Sequence, residues 1–250
     1  KTAGAMGPLE IIATLLGAHA VPPEMKGRKD EYVARVCGEM IPRAAAEGLA
    51  RFVDLFCEDG YFDLSDLEKV ARAGAEAGLG LKVHCEQLSR MGSLPSAVKL
   101  HAVSVDHLDC SNEDDFPALA ASRTIACLVP GSNYFLGKPY PPARRLLDAG
   151  AAVALATDFN PGTCPCWDMR AILSIATTQM KMTPAEALVA ATINGAHAAG
   201  VGATHGSLEA GKVADLVCHD AEDWRELAYF FGAPKIRWTM KRGRIVSPSA

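Results

Sequence analysis

The chain has 250 residues, 49% of them hydrophobic and 22% charged, with a formal net charge of −4 at pH 7. That length buries a full core as one large α/β domain, alone or with a small appendage, and the weak negative balance gives no electrostatic footprint for nucleic acid. No apolar run reaches the ~18 residues that a membrane span needs and nothing at the start reads as a signal peptide, so no membrane partner is expected.

Residues 1–8 have no hydrophobic period and read as a junction or unstructured lead-in. From there, short apolar runs alternate with helical patterns. Residues 11–16 form a run that ends in Gly17-Ala18-His19, and residues 52–57 form one that ends in Glu58-Asp59-Gly60. A helix is predicted over 65–77, with Ser65 as candidate N-cap and Gly78 to stop it. Residues 79–83 lead into His84-Cys85-Glu86-Gln87, residues 103–105 into Asp106-His107, and residues 125–129 into Pro130-Gly131. After a helical stretch over 141–149, residues 152–157 end in Asp158-Phe159-Asn160-Pro161-Gly162. Thr183-Pro184 opens a helix over 184–190, with proline at its first position. The tail is turn-rich, with alternation over 214–218 and a hairpin over 236–246. Six repeats of strand then helix predict parallel strands with right-handed crossovers, as in a (β/α)8 barrel whose chemistry sits at the C-terminal strand ends. Two strands of the eight are missing from the count.

Eight cysteines in a chain this long make no disulfide scaffold. Most lie in apolar stretches, where reduced cysteine acts as a small hydrophobe, and this favours a cytoplasmic compartment. Cys164 and Cys166 lack a second pair with zinc-finger spacing.

His19, His84, His107 and Asp158 stand at strand ends. A lone histidine beside an apolar run is usually structural, but strand ends of a barrel converge on one mouth, and four titratable groups there are read together. Imidazole and carboxylate suit zinc or iron. Such a metal polarises an amide carbonyl and lowers the pKa of its water towards ~7. His101, His197, His205 and His219 lack this placement and are read as surface or packing residues.

The motifs HCEQL at 84–88, VDHL at 105–108, ATDFNPGT at 156–163 and LGAHAVPP at 16–23, with PG at 130–131 and YFL at 134–136, resemble the motif series of the imidazolonepropionase family of the amidohydrolase superfamily. The resemblance runs in order from about residue 9 to residue 246. The tail, GSLEAGK at 206–212 and ADL at 214–216, is similar to many amidohydrolases and points only to the superfamily.

The resemblance implies a (β/α)8 TIM-like barrel over 9–200, with strands three to eight present and the first two missing, and part of a small β-sandwich domain over 201–250. The activity it implies is metal-dependent hydrolysis of the cyclic amide of 4-imidazolone-5-propanoate to N-formimidoyl-L-glutamate, in histidine degradation. By the same resemblance His84 and Asp158 are ligands of one zinc or iron ion, and Asp158 doubles as proton shuttle. His107 orients or deprotonates the water, His19 and Gln87 hydrogen-bond the imidazolone ring, and Asn160, Gly162 and Thr163 bind near substrate or product. A cytoplasmic homodimer acting on a small molecule, without nucleic acid or membrane, is expected. Some relatives carry Glu where Gln87 stands; Gln cannot act as a base, so proton transfer falls to His107 and Asp158. The family's His-x-His ligand pair and its propionate-clamping arginine do not occur here, and Ala3 stands where a tyrosine is expected. A longer parent polypeptide is the expectation. Another metal-dependent amidohydrolase or deaminase, and a truncated inactive barrel with a binding or structural role, remain as alternatives.

Overall fold

The computed structural model describes residues 7–232 and 236–248. Ala3 and most of the expected lead-in lie outside the described residues. The chain divides into two compact units. The first comprises Ile12–Ala126 and Arg145–Ala152; the second comprises Lys1–Ile11, Cys127–Arg144 and Val153–Ala250.

In the first unit, β1 (Thr14–Ala18), β2 (Phe52–Cys57), β3 (Gly80–Cys85) and β4 (Ser104–His107) lie side by side in chain order, all parallel. The start of β5 (Ile125–Leu128) follows β4, with Ile125 N donating to Val103 O at 3.0 Å. The predicted run over 52–57 is β2. The first strand starts three residues later than the predicted 11–16, because its partner β2 begins at Phe52, which pairs with Thr14. Residues 11 and 12 have no strand to meet.

Alternation with period two separates two faces. Val53, Leu55 and Cys57 of β2, with Leu81, Val83 and Cys85 of β3, are all buried. Helix Leu64–Glu76 covers this face with Leu67, Val70 and Gly74. The opposite face carries Phe52, Asp54 and Phe56, registered against Gly80, Lys82 and His84. The helix is capped by Asp63, not by the expected Ser65. Asp63 Oδ1 accepts from Ser65 N at 2.9 Å and Asp66 N at 3.2 Å, and Asp66 returns the bond to Asp63 N in a capping box. Ser65 sits one position inside the first turn and donates its hydroxyl to Asp63. The segment after β1, unpredicted from sequence, runs Lys29–Arg35, a π turn Val36–Met40, then Ile41–Ala46. Pro42 has no N–H for the ladder, and the helix widens just ahead of it.

The second unit holds the end of β5 and β6 (Val153–Leu155), with Ala156 N donating to Leu128 O at 3.1 Å. Helix Met169–Gln179 follows, then Pro184–Val189, which opens on a capping box between Thr183 and Glu186. Arg144 Nη1 reaches both carboxylate oxygens of Glu186, at 3.0 and 2.9 Å. A separate antiparallel sheet joins β7 (Leu216–His219), β8 (Ile236–Lys241) and β9 (Arg244–Pro248). Its hairpin turn puts Arg242 at φ 49° and Gly243 at φ 76°, the double left-handed geometry that matches strand twist. Among the described residues no helix is long and apolar enough to cross a membrane.

Two stability predictions follow from this packing. A Cβ at Gly74 would meet Val53 Cγ2 at 2.7 Å. Alanine gains roughly 0.5–1 kcal/mol of helix propensity, but overpacking against a buried valine costs roughly 1–3 kcal/mol. Gly74→Ala is therefore expected to lower the midpoint of denaturant unfolding, and a rise would refute the close helix–strand approach. Glu186→Ala removes both the capping box and the Arg144 pair, a loss of about 1 kcal/mol given that both side chains are partly exposed. The Arg144 hydrogen bond holds the Glu186 carboxyl down at about 2, against an ordinary 4.5. This stabilisation is complete above the ordinary value and disappears as pH falls through about 2, so melting curves of wild type and variant should converge between pH 5 and 2.

Candidate active site

The parallel register of the first unit brings four rings to one end of the strands. His19 follows β1, Phe56 and His84 are register partners on β2 and β3, and His107 closes β4. The rings of His84 and His107 lie 4.0 Å apart, those of His19 and His84 5.3 Å, and those of Phe56 and His84 4.9 Å. His107 pairs with Cys85 in register, a parity that faces the helices. Its φ of 79° breaks the extended alternation at this strand end, and its ring meets His84.

Asp54 lies beneath these rings. Its Oδ1 accepts from His84 N at 3.2 Å, and its Oδ2 is 3.3 Å from His19 Nε2. The latter contact lacks the alignment of a hydrogen bond, so His19 Nε2 is a buried nitrogen without a hydrogen-bond partner, as is His107 Nδ1. Ligand atoms of His19, Asp54 and His84 all lie within 4.8 Å of one another. Burial pushes the His84 imidazole down to about 4, and burial together with the neighbouring His84 and His19 holds His107 well below the usual histidine range. Both are neutral at pH 7 and offer lone pairs. Orphaned imidazole nitrogens beside a buried carboxylate form a donor set that fits a divalent metal.

Gln87 follows β3, two residues past its last residue Cys85. The turn that carries it is bound by Glu58, whose carboxylate accepts from the backbone of residues 87 to 89. Asp54 and Glu58 escaped the sequence analysis as functional residues. An acid inside an otherwise apolar strand, and a second acid closing it, were the available signals.

Asp158, Asn160, Gly162 and Thr163 lie in the second unit, immediately after β6. Burial raises the Asp158 carboxyl to about 6, against a lowering hydrogen bond with Asn160. Asn160 organises the loop: Nδ2 donates to Asp158 O at 2.7 Å, and Oδ1 accepts from Gly162 N at 2.9 Å and from Thr163 N at 2.7 Å and Oγ1 at 3.0 Å. These polar groups hold one another and fix the turn that presents the Asp158 carboxylate. The same unit has a cavity of about 960 Å³ lined by Tyr134, Phe135, Ile172, Ile175 and Tyr229 among others, and it includes none of the predicted site residues.

The chain is 43% identical over 240 residues to an imidazolonepropionase of Flavobacterium johnsoniae, covering 96% of this chain and 58% of the relative. An imidazolonepropionase of Bacillus velezensis is 40% identical over 247 residues, 98% of this chain and 58% of its own length. The chain thus spans somewhat under two thirds of these relatives. Among solved structures, an adenosine deaminase from Xanthomonas campestris with bound zinc superposes with a TM-score of 0.73 at 22% identity, over 98% of this chain and 62% of that one. N-isopropylammelide isopropylaminohydrolase from Burkholderia multivorans gives 0.76 at 19% identity, over 96% and 63%. At such identities these two show the fold alone, an α/β fold shared with amidohydrolases. The model of the Amidohydrolase family matches residues 65–246, and the chain belongs to that family.

Proposed function

We propose that the protein carrying this chain is a metal-dependent imidazolonepropionase, hydrolysing 4-imidazolone-5-propanoate to N-formimidoyl-L-glutamate. The observation that carries this reading is identity of 40 to 43% with imidazolonepropionases over 96 to 98% of the chain. In this reading residues 9–200 supply strands three to eight of a (β/α)8 barrel, and 201–250 part of a small β-sandwich domain, which the antiparallel β7–β9 sheet supports. The enzyme is a cytoplasmic homodimer acting on a small molecule.

By the family resemblance His84 and Asp158 would each supply a ligand to the cation, zinc or iron. When bound, such an ion polarises the ring carbonyl and lowers the pKa of water towards ~7. The His107 ring would accept the first proton of the attacking water and then, as an imidazolium, hydrogen-bond the oxyanion. The water oxygen bonds to the carbonyl carbon, the ring C–N bond breaks, and a proton goes to the departing nitrogen. Asp158, the proton shuttle in this reading, would take the second proton of the water and deliver it to the departing nitrogen. His19 and Gln87 hydrogen-bond the ring, and the turn of Asn160, Gly162 and Thr163 lies near the opened product.

The test is elemental analysis of the purified protein, with assays on imidazolonepropanoate, a purine and a dihydropyrimidine. Stoichiometric zinc or iron and turnover of the first substrate alone are expected. His84→Ala should lose the metal, whereas His107→Ala should retain it and lower kcat by roughly 10²–10⁴-fold. Turnover of the purine or the dihydropyrimidine instead would assign another amidohydrolase activity. A metal-free, inactive protein would leave a binding or structural role.

A further inference from the structure

The cavity of the second unit, about 960 Å³, is lined by helix Pro130–Leu136, helix Met169–Gln179 and the segment around helix Glu226–Tyr229. Ile172 and Ile175 give it an apolar wall, and Tyr134, Phe135, Tyr229 and Phe231 line it as well. These four rings are 69%, 54%, 76% and 74% exposed, so the cavity lies open to solvent. The local sequence explains the exposure. Tyr229, Phe230 and Phe231 follow one another, and neither a helical nor a strand period turns three adjacent side chains towards one core. Backbone hydrogen bonds hold them there, from Phe230 N to Glu226 O at 3.0 Å and from Phe231 N to Tyr229 O at 3.2 Å. The rings of Tyr229 and Phe230 also pack edge to face at 5.0 Å.

Contiguous apolar patches of more than a few hundred Å² mark contact surfaces. A whole aromatic side chain covers roughly 150–250 Å², so the exposed parts of these four rings come to about 500 Å². One side of a standard interface covers about 800 Å², and in homodimers about 65% of that is apolar, again about 500 Å². The patch is therefore large enough to form the apolar centre of one half of a dimer.

Across a two-fold axis a patch meets its own copy, so unpaired charge there would repel itself. The charged side chains that line the cavity are settled within the chain. Arg225 Nε donates to both oxygens of Asp223, at 2.9 and 3.0 Å. Glu226 Oε1 accepts from the backbone N–H groups of Glu222 and Asp223, at 3.2 and 3.3 Å. A pocket for a polar small molecule would aim such groups inward, whereas Thr177 and Thr178 direct their hydroxyls to carbonyls of their own helix.

We propose that this aromatic face joins two copies of the chain about a two-fold axis, the rings of each packing against the cavity of the other. The proposal rests on the homodimeric reading given above and adds the surface that carries it.

The test is sedimentation velocity of the full-length protein over a range of concentrations, for wild type and for the double variant Tyr229→Glu, Phe231→Glu. Both positions are exposed in the single chain, so the variant is expected to keep the wild-type circular dichroism spectrum. Its self-association should weaken by roughly 30-fold or more, because aromatic anchors carry most of an interface's energy and the added carboxylates of the two copies would face one another. A double variant as dimeric as wild type would overturn the proposal and leave the homodimeric reading intact, whereas a wild type that is monomeric at every concentration overturns both. Should the double variant fail to fold, hydroxyl-radical footprinting of wild type above and below its dissociation concentration gives a second reading. Tyr134, Phe135, Tyr229 and Phe231 are expected to be protected in the dimer alone. Protection in the monomer as well would assign the face to another part of the same polypeptide, and protection in neither state would leave it without a partner copy; each result overturns the proposal. Hydrolysis of imidazolonepropanoate is measured separately: an inactive wild type whose dimer the double variant dissociates refutes the proposed activity and supports this interface.

Discussion

The parallel pairing of β1 to β4, regular from β2 to β4 and shifted in β1 between Leu15 and Ala18, decides where the rings of the first unit stand. Because side chains alternate with period two, one register places Val53, Leu55, Cys57, Leu81 and Val83 under the helices and Asp54, Phe56 and His84 on the other face. A slip of one residue would exchange the two sets. Each large apolar side chain would then lose roughly 1.5–3 kcal/mol of burial, and Asp54 would lie unpaired against helix Leu64–Glu76. The apolar face thus fixes the polar one, and the proximity of the His84 and His107 rings is a by-product of core packing.

Much of this was legible in the residues. The run over 52–57 is bounded by Arg51 and Glu58 and is apolar but for Asp54, so strand β2 and its bounds could be read directly. The run over 11–16 was equally apolar, but a strand needs a partner, and only residues from Thr14 onward have one. The π-widened segment after β1 was hidden because Gly38 and Pro42 interrupt its period. His205, read as a surface or packing residue, stands 3.6 Å from Asp215 Oδ2 and 4.0 Å from Glu10 Oε2, in a partly exposed network with Lys241 and Arg242. The pairs of Glu10 with Lys241 and Arg242 join residues more than 200 positions apart, and such contacts leave no trace in local pattern. Asp54 was missed for the same reason, since its importance lies in its neighbours and not in its spacing.

Three buried carboxylates of the first unit meet the same desolvation problem in different ways. Asp54 accepts from the His84 backbone and stands beside the His19 ring. Glu58 fills both oxygens with donors from one turn. Glu86 accepts from Leu94 N at 3.4 Å through one oxygen, while the other has no partner, and burial raises its pKa. A carboxyl so poorly provided for favours its neutral form. Asp54 faces the histidines, Glu58, with both oxygens filled, faces the turn after them, and Glu86 faces the start of helix Ser93–Lys99.

Backbone strain is distributed by the same logic. Among the described residues, seven other than glycine have positive φ, and four of them, Glu86, His107, Leu108 and Asp158, sit at or beside predicted site positions at strand ends. Such conformations cost roughly 1–3 kcal/mol each and persist where neighbouring contacts impose them. Each of these strand ends has its own staple. Glu58 binds the turn after Glu86; Cys110 N to Glu86 O at 2.7 Å and Ser111 Oγ to Leu108 O at 2.7 Å hold the segment after His107; the Asn160 side chain closes the loop after Asp158. Bent strand ends re-aim a side chain away from the strand's alternation, which an extended residue cannot do. The hydrogen bonds surrounding the candidate site therefore serve largely to hold backbone in place, leaving His19 Nε2 and His107 Nδ1 without hydrogen-bond partners.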